Sequence, residues 1–527
     1  MLLDTAVQNL PQVLRILLVA VPVLTTAYLL LLALYNLFLH PLRRYPGPLL
    51  SRALPIPHAL RIASGSGPLQ VHALHEKYGP VVRIGPRHLS YTDPRAWKDI
   101  FGHRAGDHIA LRENGKSDMF YRKQLIDRDG MDAPNILDAD REEHSRLRRA
   151  VAAGFSDRSM REHEPIIMKY VDQLMGGLRR KTEMGEEVDM VKWYNWTTFD
   201  VIGDLVFAES FGCLKDETTH PFVDMVTGSV SEAATFVAMK YAGMGYVPGF
   251  KWTLNKLVKW AAWDSFKKMM IMMEKKLRHR LEMDQERNDL FEGLMSKREE
   301  WNLDLQRLQS NATLIAAAGS ETTASLMAGV TFHLLQNPEA LEKLNKEVRS
   351  AFKSADEITI ASVSRLPYLL ACLNEGLRRY PPAVSNLPRD VHEGGEMIAG
   401  EWVHENTIVE IQQYAINHSS QHWRDPFAFR PERWLNKIDA DLGEAKERDE
   451  KDIDGDRLDA MQTFSVGPRN CVGRNLAYAE MRVVIARMVF EFDMELSERS
   501  KNWLKEAKVY TIWKKTELFL RLTPVKR

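Results

Sequence analysis

Residues 464–474 read FSVGPRNCVGR and place a cysteine in a short basic loop. The segment after Cys471 (NLAYAEMRVVIARMVFEF) has the apolar spacing of a helix. Unpaired N–H groups at a helix N-terminus favour an anion, and Arg469 and Arg474 add positive charge on both sides of the cysteine. These effects lower the pKa of a thiol. The sequence therefore predicts a thiolate at Cys471.

Four roles are open for this thiolate. Buried structural cysteines are the commonest kind, but they lie in apolar runs, as Cys372 does in LPYLLACLNEG. A phosphate-binding loop needs GxxxxGK followed by Ser or Thr, and the segment between Gly467 and Gly473 lacks that pattern. A nucleophilic cysteine needs a base, which the sequence does not place. An axial ligand of haem iron accounts for the whole stretch, because glycines let a flat group approach the loop.

The composition is that of an ordinary globular protein with a large core. Of 527 residues, 45% are hydrophobic and 27% are charged. Lys plus Arg and Asp plus Glu both number 71, so no net charge points to nucleic acid. The three cysteines, Cys213, Cys372 and Cys471, are far apart, which argues against a disulfide scaffold or a structural zinc site.

The N-terminus differs from that of a soluble protein. Ile16 to Leu39 contains no charged side chain and is long enough to cross a bilayer as a helix. A cleaved signal peptide is the alternative, but its apolar region is shorter. Arg43 and Arg44 follow the span, which favours a cytosolic body. The predicted organisation is a short segment 1–15, a single transmembrane anchor 16–39, a proline-rich hinge 40–50 and one catalytic domain 51–527.

The body is predicted to be mainly α with small β-sheets. Helical apolar spacing covers Ser159 to Lys181, Phe266 to Glu286, Leu303 to Leu335 and Asn475 to Phe492. VVRIG and HLSYT are predicted to be two strands joined by a Gly85-Pro86 turn. MIAGEWV and TIVEIQQ are predicted to form another strand pair. The acidic segment Lys437 to Asp459 is predicted to be a solvated surface insertion.

The cysteine loop has the pattern FxxGxRxCxG through Phe464, Gly467, Arg469, Cys471 and Gly473. Three further motifs occur in the order of the same family: Ala318-Gly-Ser-Glu-Thr-Thr, Glu375-Gly-Leu-Arg378 and Pro431-Glu-Arg-Trp434. With these motifs the chain resembles the cytochrome P-450 superfamily of haem-thiolate monooxygenases. The resemblance extends over nearly the whole chain and is strongest to fungal secondary-metabolism enzymes of the isotrichodermin 15-hydroxylase type.

The resemblance implies roles for individual residues. Cys471 would be the axial ligand of haem b in a cytochrome P-450 fold. Glu321 and Thr322 would relay protons to dioxygen over the haem, beside a helix locally opened at Gly319. The haem propionates would be bound by Arg148, Arg389 and Arg469, with His144 in the place of a tryptophan common in relatives. Glu375, Arg378 and Arg433 would form a buried structural cluster.

The same resemblance implies insertion of one oxygen atom of O₂ into a lipophilic small molecule, by hydroxylation or epoxidation. Electrons would come from NADPH through NADPH-cytochrome P-450 reductase, a separate flavoprotein, with cytochrome b5 as a second candidate donor. Arg146, Arg149 and Arg474 are candidate parts of a docking face. The expected location is the endoplasmic reticulum membrane, with the catalytic domain cytosolic.

The substrate class expected from the resemblance is terpenoid or polyketide. Contacts to it are expected from residues 107–132, 232–252, 314–318 and 382–385 and near Thr511. Two other functions remain open: a haem-thiolate isomerase or dehydratase, and a haem-binding sensor without turnover. A membrane-tethered interaction protein with a degenerate site is a third, and it predicts no haem at all.

Overall fold

The computed structural model describes residues 19–103, 114–119, 133–247, 249–283, 287–385, 387–435 and 455–526. Several predictions fall on other residues. These are the segment 1–15, the first three residues of the anchor, parts 107–113 and 120–132 of the expected substrate contacts, and the acidic segment up to residue 454.

Helices make up most of the described chain. The α-helices are α1 Val19–Leu39, whose last turn Tyr35–Leu39 is a π-helix, α2 Leu49–Ala53, α3 Ile56–Ala63, α4 Gly67–Tyr78, α5 Arg95–Phe101, α6 Arg141–Ala152, α7 Asp157–Glu183, α8 Met190–Phe207, α9 Cys213–Asp216, α10 Pro221–Gly228, α11 Val230–Tyr241, α12 Phe250–Leu281, α13 Glu292–Met295, α14 Leu305–Gln336, α15 Pro338–Ala351, α16 Ile360–Val363, α17 Pro367–Arg379, α18 Gln413–Asn417, α19 Arg474–Glu491 and α20 Trp503–Glu506.

Small sheets lie beside the helices. The strands are β1 Val81–Gly85, β2 His88–Tyr91, β3 Gly115–Lys116, β4 Val188–Asp189, β5 Arg389–Asp390, β6 Glu396–Ile398, β7 Glu401–Val403, β8 Ile408–Ile411, β9 Phe492–Leu496, β10 Lys508–Val509, β11 Trp513–Lys514 and β12 Phe519–Pro524. The largest sheet has the order β1-β2-β8-β5-β3, and the others are β4-β12-β9, β6-β7 and β10-β11. In the largest sheet β2 and β8 run parallel.

The predicted fold class, mainly α with small sheets, is confirmed. The four long helices occur within a few residues of their predicted bounds, except that α12 begins at Phe250, well before the predicted Phe266. The first strand pair is confirmed as β1 and β2. The second pairing was wrong, because MIAGEWV forms the hairpin β6-β7 by itself. TIVEIQQ supplies β8, which pairs with β2 and β5 instead.

Two long helices form the centre of the core. Nearly all of α8 is buried, and it packs along α14, which is itself buried over most of its length. Such helices carry apolar residues on all sides rather than on one stripe. The helix α19, directly after the cysteine loop, also packs against α14. The core therefore fixes α14 and the cysteine loop relative to each other.

The N-terminal helix α1 is a candidate membrane anchor. It has 21 residues with a mean hydropathy of 1.8, and little of it is covered by protein. Its last turn is hydrogen-bonded to the body: Asn36 Nδ2 donates to Ala53 O (2.8 Å), and Arg83 Nη1 donates to Asn36 O (2.9 Å). Arg44 and Tyr45 both donate to Trp402 O, at 2.7 Å and 3.1 Å. The candidate anchor is therefore held against the rest of the protein at its C-terminal end.

Gly376 allows close packing of α17 on α14. A Cβ at this position would lie 2.3 Å from Cγ2 of Val330. Val330 is β-branched and helical, so its side chain has few alternative rotamers. The glycine in this motif therefore has a packing reason that outweighs its helix cost of about 1 kcal/mol.

We predict that Gly376→Ala destabilises the protein although alanine is the better helix former. Overpacking a core position costs about 1–3 kcal/mol. The measurement is the midpoint of thermal unfolding of the detergent-solubilised protein. Gly176→Ala in α7 is the matched control, because its Cβ would meet only Arg180 Nη1 at 3.7 Å. A Gly376→Ala protein as stable as the Gly176→Ala protein would contradict this packing.

Candidate active site

The cysteine loop is a tight backbone turn that ends at the start of α19. Cys471 N donates to Phe464 O (2.9 Å), and Asn470 N donates to Gly467 O (3.2 Å). Gly467 has a φ of +77°, which favours glycine. A Cβ on Gly467 would lie 1.9 Å from Phe101 O. Gly467 is therefore required because a side chain would clash with the backbone at Phe101. The sequence analysis had instead explained the glycines by the approach of a flat group.

Cys471 differs from the two other cysteines. Cys213 and Cys372 are buried, whereas Cys471 has accessible surface. The pKa of the Cys471 thiol is nevertheless raised, because the surrounding protein desolvates it. The Gly473 N–H, Arg148 and Arg474 act in the opposite direction and favour the thiolate. The expectation of a net lowered pKa was wrong for the metal-free thiol, since desolvation outweighs these charges.

Four cationic side chains surround His144, which is buried on α6. The pKa of His144 is lowered to about 3, first by burial and then by Arg469, Lys116, Arg148 and Arg389. This histidine is therefore neutral near pH 7 and adds a hydrogen-bonding group instead of a charge. We call Lys116, Arg148, Arg389 and Arg469 the cation cluster. So much positive charge around one buried site fits a ligand with carboxylates, such as the two propionates of haem.

Hydrogen bonds to nearby backbone and side-chain oxygens hold three members of the cation cluster in place. Arg469 Nη1 and Lys116 Nζ both donate to Ala139 O, at 3.2 Å and 3.1 Å. Arg148 donates to O and Oδ1 of Asn470, in the cysteine loop itself. The structure thus brings together the predicted residues His144, Arg148, Arg389 and Arg469, and Arg148 links them to the cysteine loop.

Lys116 was missed by the sequence analysis. It lies on β3 directly opposite Arg389 on β5, so both side chains point to the same face of the sheet. No motif marks this lysine, and its partner strand is more than 250 residues away in the chain. Only the sheet register shows that the two charges belong together.

One face of α14 is open in the middle of an otherwise buried helix. Leu314, Ala317, Ala318 and Thr322 have accessible surface, while Ala316 and Thr323 are buried. Spacings of three and four residues place the open positions on one side of the helix. Three of them fall in the segment expected to contact substrate. Thr322 is therefore the member of the Glu-Thr pair that faces this open space.

The helix α14 is continuous through Gly319, so the predicted local opening is not seen. Thr322 Oγ1 donates to Ala318 O (2.6 Å), and Thr323 Oγ1 donates to Gly319 O (2.9 Å). A Cβ on Gly319 would lie 3.1 Å from Cδ1 of Ile202. The glycine therefore allows close packing against α8.

Glu321 lies on a buried side of α14 and is paired with a lysine that no motif predicts. Lys515 Nζ contacts Glu321 Oε1 directly and donates to Ser325 Oγ at 2.6 Å. Ser325 Oγ donates in turn to Glu321 Oε1 (3.2 Å). Both charged side chains are 4% exposed. Within the described chain, Glu321 Oε2 has no hydrogen-bond partner.

The carboxylate of Glu375 is fully buried behind the cysteine loop. Arg378 Nε and Nη2 donate to its two oxygens at 2.9 Å and 2.8 Å. Trp434 Nε1 (3.0 Å) and the Arg430 N–H (2.9 Å) also donate to it. Arg433 Nε lies 3.4 Å from Glu375 Oε1, too far for a strong bond.

The stronger partner of Arg433 is Asp456, which lies in the segment predicted to be solvated but is itself buried, so that prediction was wrong at this residue. Asp456 Oδ1 also accepts the N–H of Arg424 (2.6 Å). Glu375 and Asp456 are both buried, so the guanidinium of Arg433 lies between two buried carboxylates. The predicted structural cluster is therefore larger than the motif alone indicates.

This fold and these motifs define a haem-thiolate enzyme, and comparison with known proteins agrees. Residues 48–520 match the cytochrome P450 family, and the chain belongs to this family. The chain is 41% identical over 505 residues to cytochrome P450 monooxygenase tpeC of Talaromyces stipitatus, covering 95% of this chain and 94% of that protein. It is also 41% identical over 511 residues to trichothecene C-15 hydroxylase of Fusarium sporotrichioides, covering 94% and 96%.

A third relative is averantin hydroxylase of Dothistroma septosporum, 38% identical over 499 residues, or 93% of this chain and 88% of that protein. Membership of this family, together with these relatives, identifies the chain as a monooxygenase. The family implies haem with a thiolate ligand, O₂, a redox partner and a lipophilic substrate. An accessible cysteine, a cation cluster beside it and an open helix face fit such a group.

We predict that Lys515→Met destabilises the protein by about 3–5 kcal/mol, because it leaves a buried carboxylate unpaired. Stability would be read from the midpoint of thermal unfolding. The double variant Lys515→Met/Glu321→Gln should recover most of the loss. Lys514→Met is the control: Lys514 donates only one described hydrogen bond, to Ser231 Oγ (2.9 Å), so its loss should cost about 1 kcal/mol. Equal stability of the two single variants would contradict the buried pair.

Proposed function

We propose that this monooxygenase binds haem b through the sulfur of Cys471 and oxidises a lipophilic secondary metabolite, of the terpenoid or polyketide class, by hydroxylation or epoxidation. The observation that carries the proposal is the cation cluster beside the accessible Cys471. Arg148 connects the two parts, since it interacts with the Cys471 thiol and hydrogen-bonds to Asn470. Phe464 and Val472 in the loop are partly exposed and offer apolar contact.

Cys471 would hold the cofactor through its sulfur, and the cofactor, when bound, would supply the activation of O₂ for insertion of one oxygen atom. The chain's own residues would position the cofactor and the substrate and would deliver protons to dioxygen. The cation cluster would neutralise the propionates, and neutral His144 would offer an N–H or a nitrogen acceptor. The open face of α14 would hold substrate and dioxygen.

Proton delivery is proposed for Thr322 and Glu321. Thr322 faces the open space, and its hydroxyl can pass a proton by exchanging the Ala318 carbonyl for a new acceptor. Glu321 supports the relay from the buried side, where it is paired with Lys515 and its Oε2 has no hydrogen-bond partner among the described residues. The open position of Thr322 favours oxygen activation over the isomerase or dehydratase alternative, which needs no external protons or electrons.

Electrons are proposed to come from NADPH through NADPH-cytochrome P-450 reductase, with cytochrome b5 as a second donor. Of the three candidate docking arginines, Arg149 on α6 and Arg474 at the start of α19 are exposed, whereas Arg146 is partly exposed and lies over the ring of Trp301. Arg149 shares its helix with His144 and Arg148, and Arg474 is the last residue of the cysteine loop, which supports a docking face near the cofactor. The candidate anchor α1 is consistent with a place in the endoplasmic reticulum membrane beside the reductase.

We predict that Cys471→Ala removes both product formation and the far red-shifted Soret band of the reduced carbon monoxide complex. Alanine offers no thiolate, so any haem that remains must have another ligand. The measurement is the spectrum of the reduced protein with carbon monoxide minus that of the reduced protein without it, on protein reconstituted with haem. Cys372→Ala is the control, because that buried cysteine lies outside the loop. Retention of the shifted band in Cys471→Ala would refute the assignment. Turnover with reductase and NADPH by the wild type would exclude a sensor.

We predict that Thr322→Ala separates electron consumption from product formation. Without the hydroxyl, proton delivery to dioxygen is less controlled, so more hydrogen peroxide and less product should form. General acid catalysis contributes about 10²–10⁴-fold to a reaction rate. NADPH consumed, product and peroxide would be measured together. Thr323→Ala is the matched control, since its hydroxyl is buried on the other side of α14. Unchanged coupling in Thr322→Ala would contradict the relay.

A further inference from the structure

A second group of polar side chains lies around a cleft away from the cysteine loop. The cleft is narrow, with a cavity volume of about 60 Å³. Its walls come from α3, the start of α4, α11, β8 and the segment at Thr511. Two of these regions, α11 and Thr511, are expected to contact substrate. The wall includes the apolar residues Ile62, Pro68, Val71 and Val237.

Two buried polar atoms at this cleft have no hydrogen-bond partner among the described residues. They are Nδ1 of His58 and Oε1 of Gln412, on side chains 4% and 6% exposed. Both residues line the cleft. Burying a polar group without a partner is unfavourable, so such atoms point to a ligand or an ordered water that completes their hydrogen bonds.

The surrounding groups fix what kind of ligand fits. Gln412 Nε2 already donates to Glu410 Oε1 (2.7 Å), so its free Oε1 can only accept. Burial, His88 and Arg61 lower the pKa of His58, so the ring is neutral and offers one N–H and one acceptor. A hydroxyl can donate to the amide oxygen and also accept from an imidazole N–H.

Charge at the cleft argues for a neutral ligand. Glu410 and Arg61 both line it and carry opposite charges. Arg61 Nη1 donates to Ile84 O (3.2 Å), and Glu410 is 3.5 Å from His88 Nε2. A cation would meet the arginine, and an anion would meet the carboxylate. A neutral molecule avoids both costs.

Three aromatic rings pack against one another at the polar end of the cleft. The His58 ring lies edge-on to Tyr241, with centroids 5.0 Å apart, and edge-on to His88, at 4.9 Å. Tyr241 also stacks on His88 at 5.6 Å. Burial raises the pKa of Tyr241 well above its usual range, and Glu410 raises it further, so the phenol is neutral. These rings hold His58 in one orientation, which makes the polar end a preformed site.

We propose that this cleft is a recognition subsite for a hydroxyl or phenol group of the substrate, bound by Gln412 and His58 at a distance from the oxidised carbon. The inference rests on the proposed function, since it assigns the cleft to the same substrate. The substrate is then a neutral, lipophilic molecule that already carries oxygen. A step that introduces or retains a hydroxyl must precede this enzyme.

The test compares two ligands that differ in one group, 2-naphthol and 2-methylnaphthalene. Their dissociation constants would be measured by isothermal titration calorimetry on the full-length, haem-loaded, detergent-solubilised protein. We expect the wild type to prefer the phenol by about tenfold or more, as a hydrogen bond at a buried site provides. Absence of this preference in the wild type would overturn the inference without any variant.

Variants then locate the bound phenol. Gln412→Leu and His58→Phe should each reduce the preference about tenfold and leave the dissociation constant of 2-methylnaphthalene within about twofold. Gln413→Leu is the matched control: this neighbouring glutamine is also buried with an unpartnered Oε1, but it does not line the cleft. If both cleft variants keep the wild-type preference, the phenol binds elsewhere and the inference fails.

The carbon monoxide spectrum of the same samples separates the two proposals. A missing shifted band would refute thiolate ligation, whereas the phenol preference does not depend on the iron ligand. A normal band together with no phenol preference would refute the subsite alone.

Discussion

The buried carboxylate of Glu375 holds together segments that are distant in sequence. It accepts hydrogen bonds from its own helix through Arg378, and from Arg430 and Trp434 more than 50 residues later. Arg378 in turn donates to the carbonyls of Asn417, Pro426 and Ala428. An unpaired charge at this depth would be very unfavourable, so the whole set must form together or not at all. This requirement fixes the chain that leads into the cysteine loop.

In the candidate active site, the cationic side chains and the acidic side chain lie on different elements. Cations gather around His144 at one edge of the cysteine loop, whereas the acid on α14 is already neutralised by Lys515. The open face of α14 therefore presents a hydroxyl and small apolar side chains, without a bare carboxylate. Such a surface suits an apolar substrate, and the cation cluster suits the anionic groups of a cofactor.

Sequence reasoning succeeded where the signal is local. The long core helices followed from apolar periodicity, and the cysteine loop and the Glu375–Arg378 pair followed from residues a few positions apart. It failed where partners are far apart in the chain. Nothing local shows that TIVEIQQ pairs with β2, that Lys116 lies beside Arg389, or that Lys515 reaches Glu321. The predicted direction of the Cys471 pKa shift was wrong for a related reason, since desolvation depends on all the residues packed around the loop.

The hydrogen bonds of Asn36 have a practical meaning for the boundary between anchor and enzyme. Asn36 lies inside the last turn of the apolar helix, yet its side chain and carbonyl are bonded to Ala53 and Arg83 of the body. That turn therefore belongs mechanically to the globular part, and only the residues before it are free to be replaced. A soluble version cut after Leu39 would leave the buried guanidinium of Arg83 without one of its acceptors. A version that begins at Tyr35 would keep the hydrogen bond from Arg83 to Asn36 O.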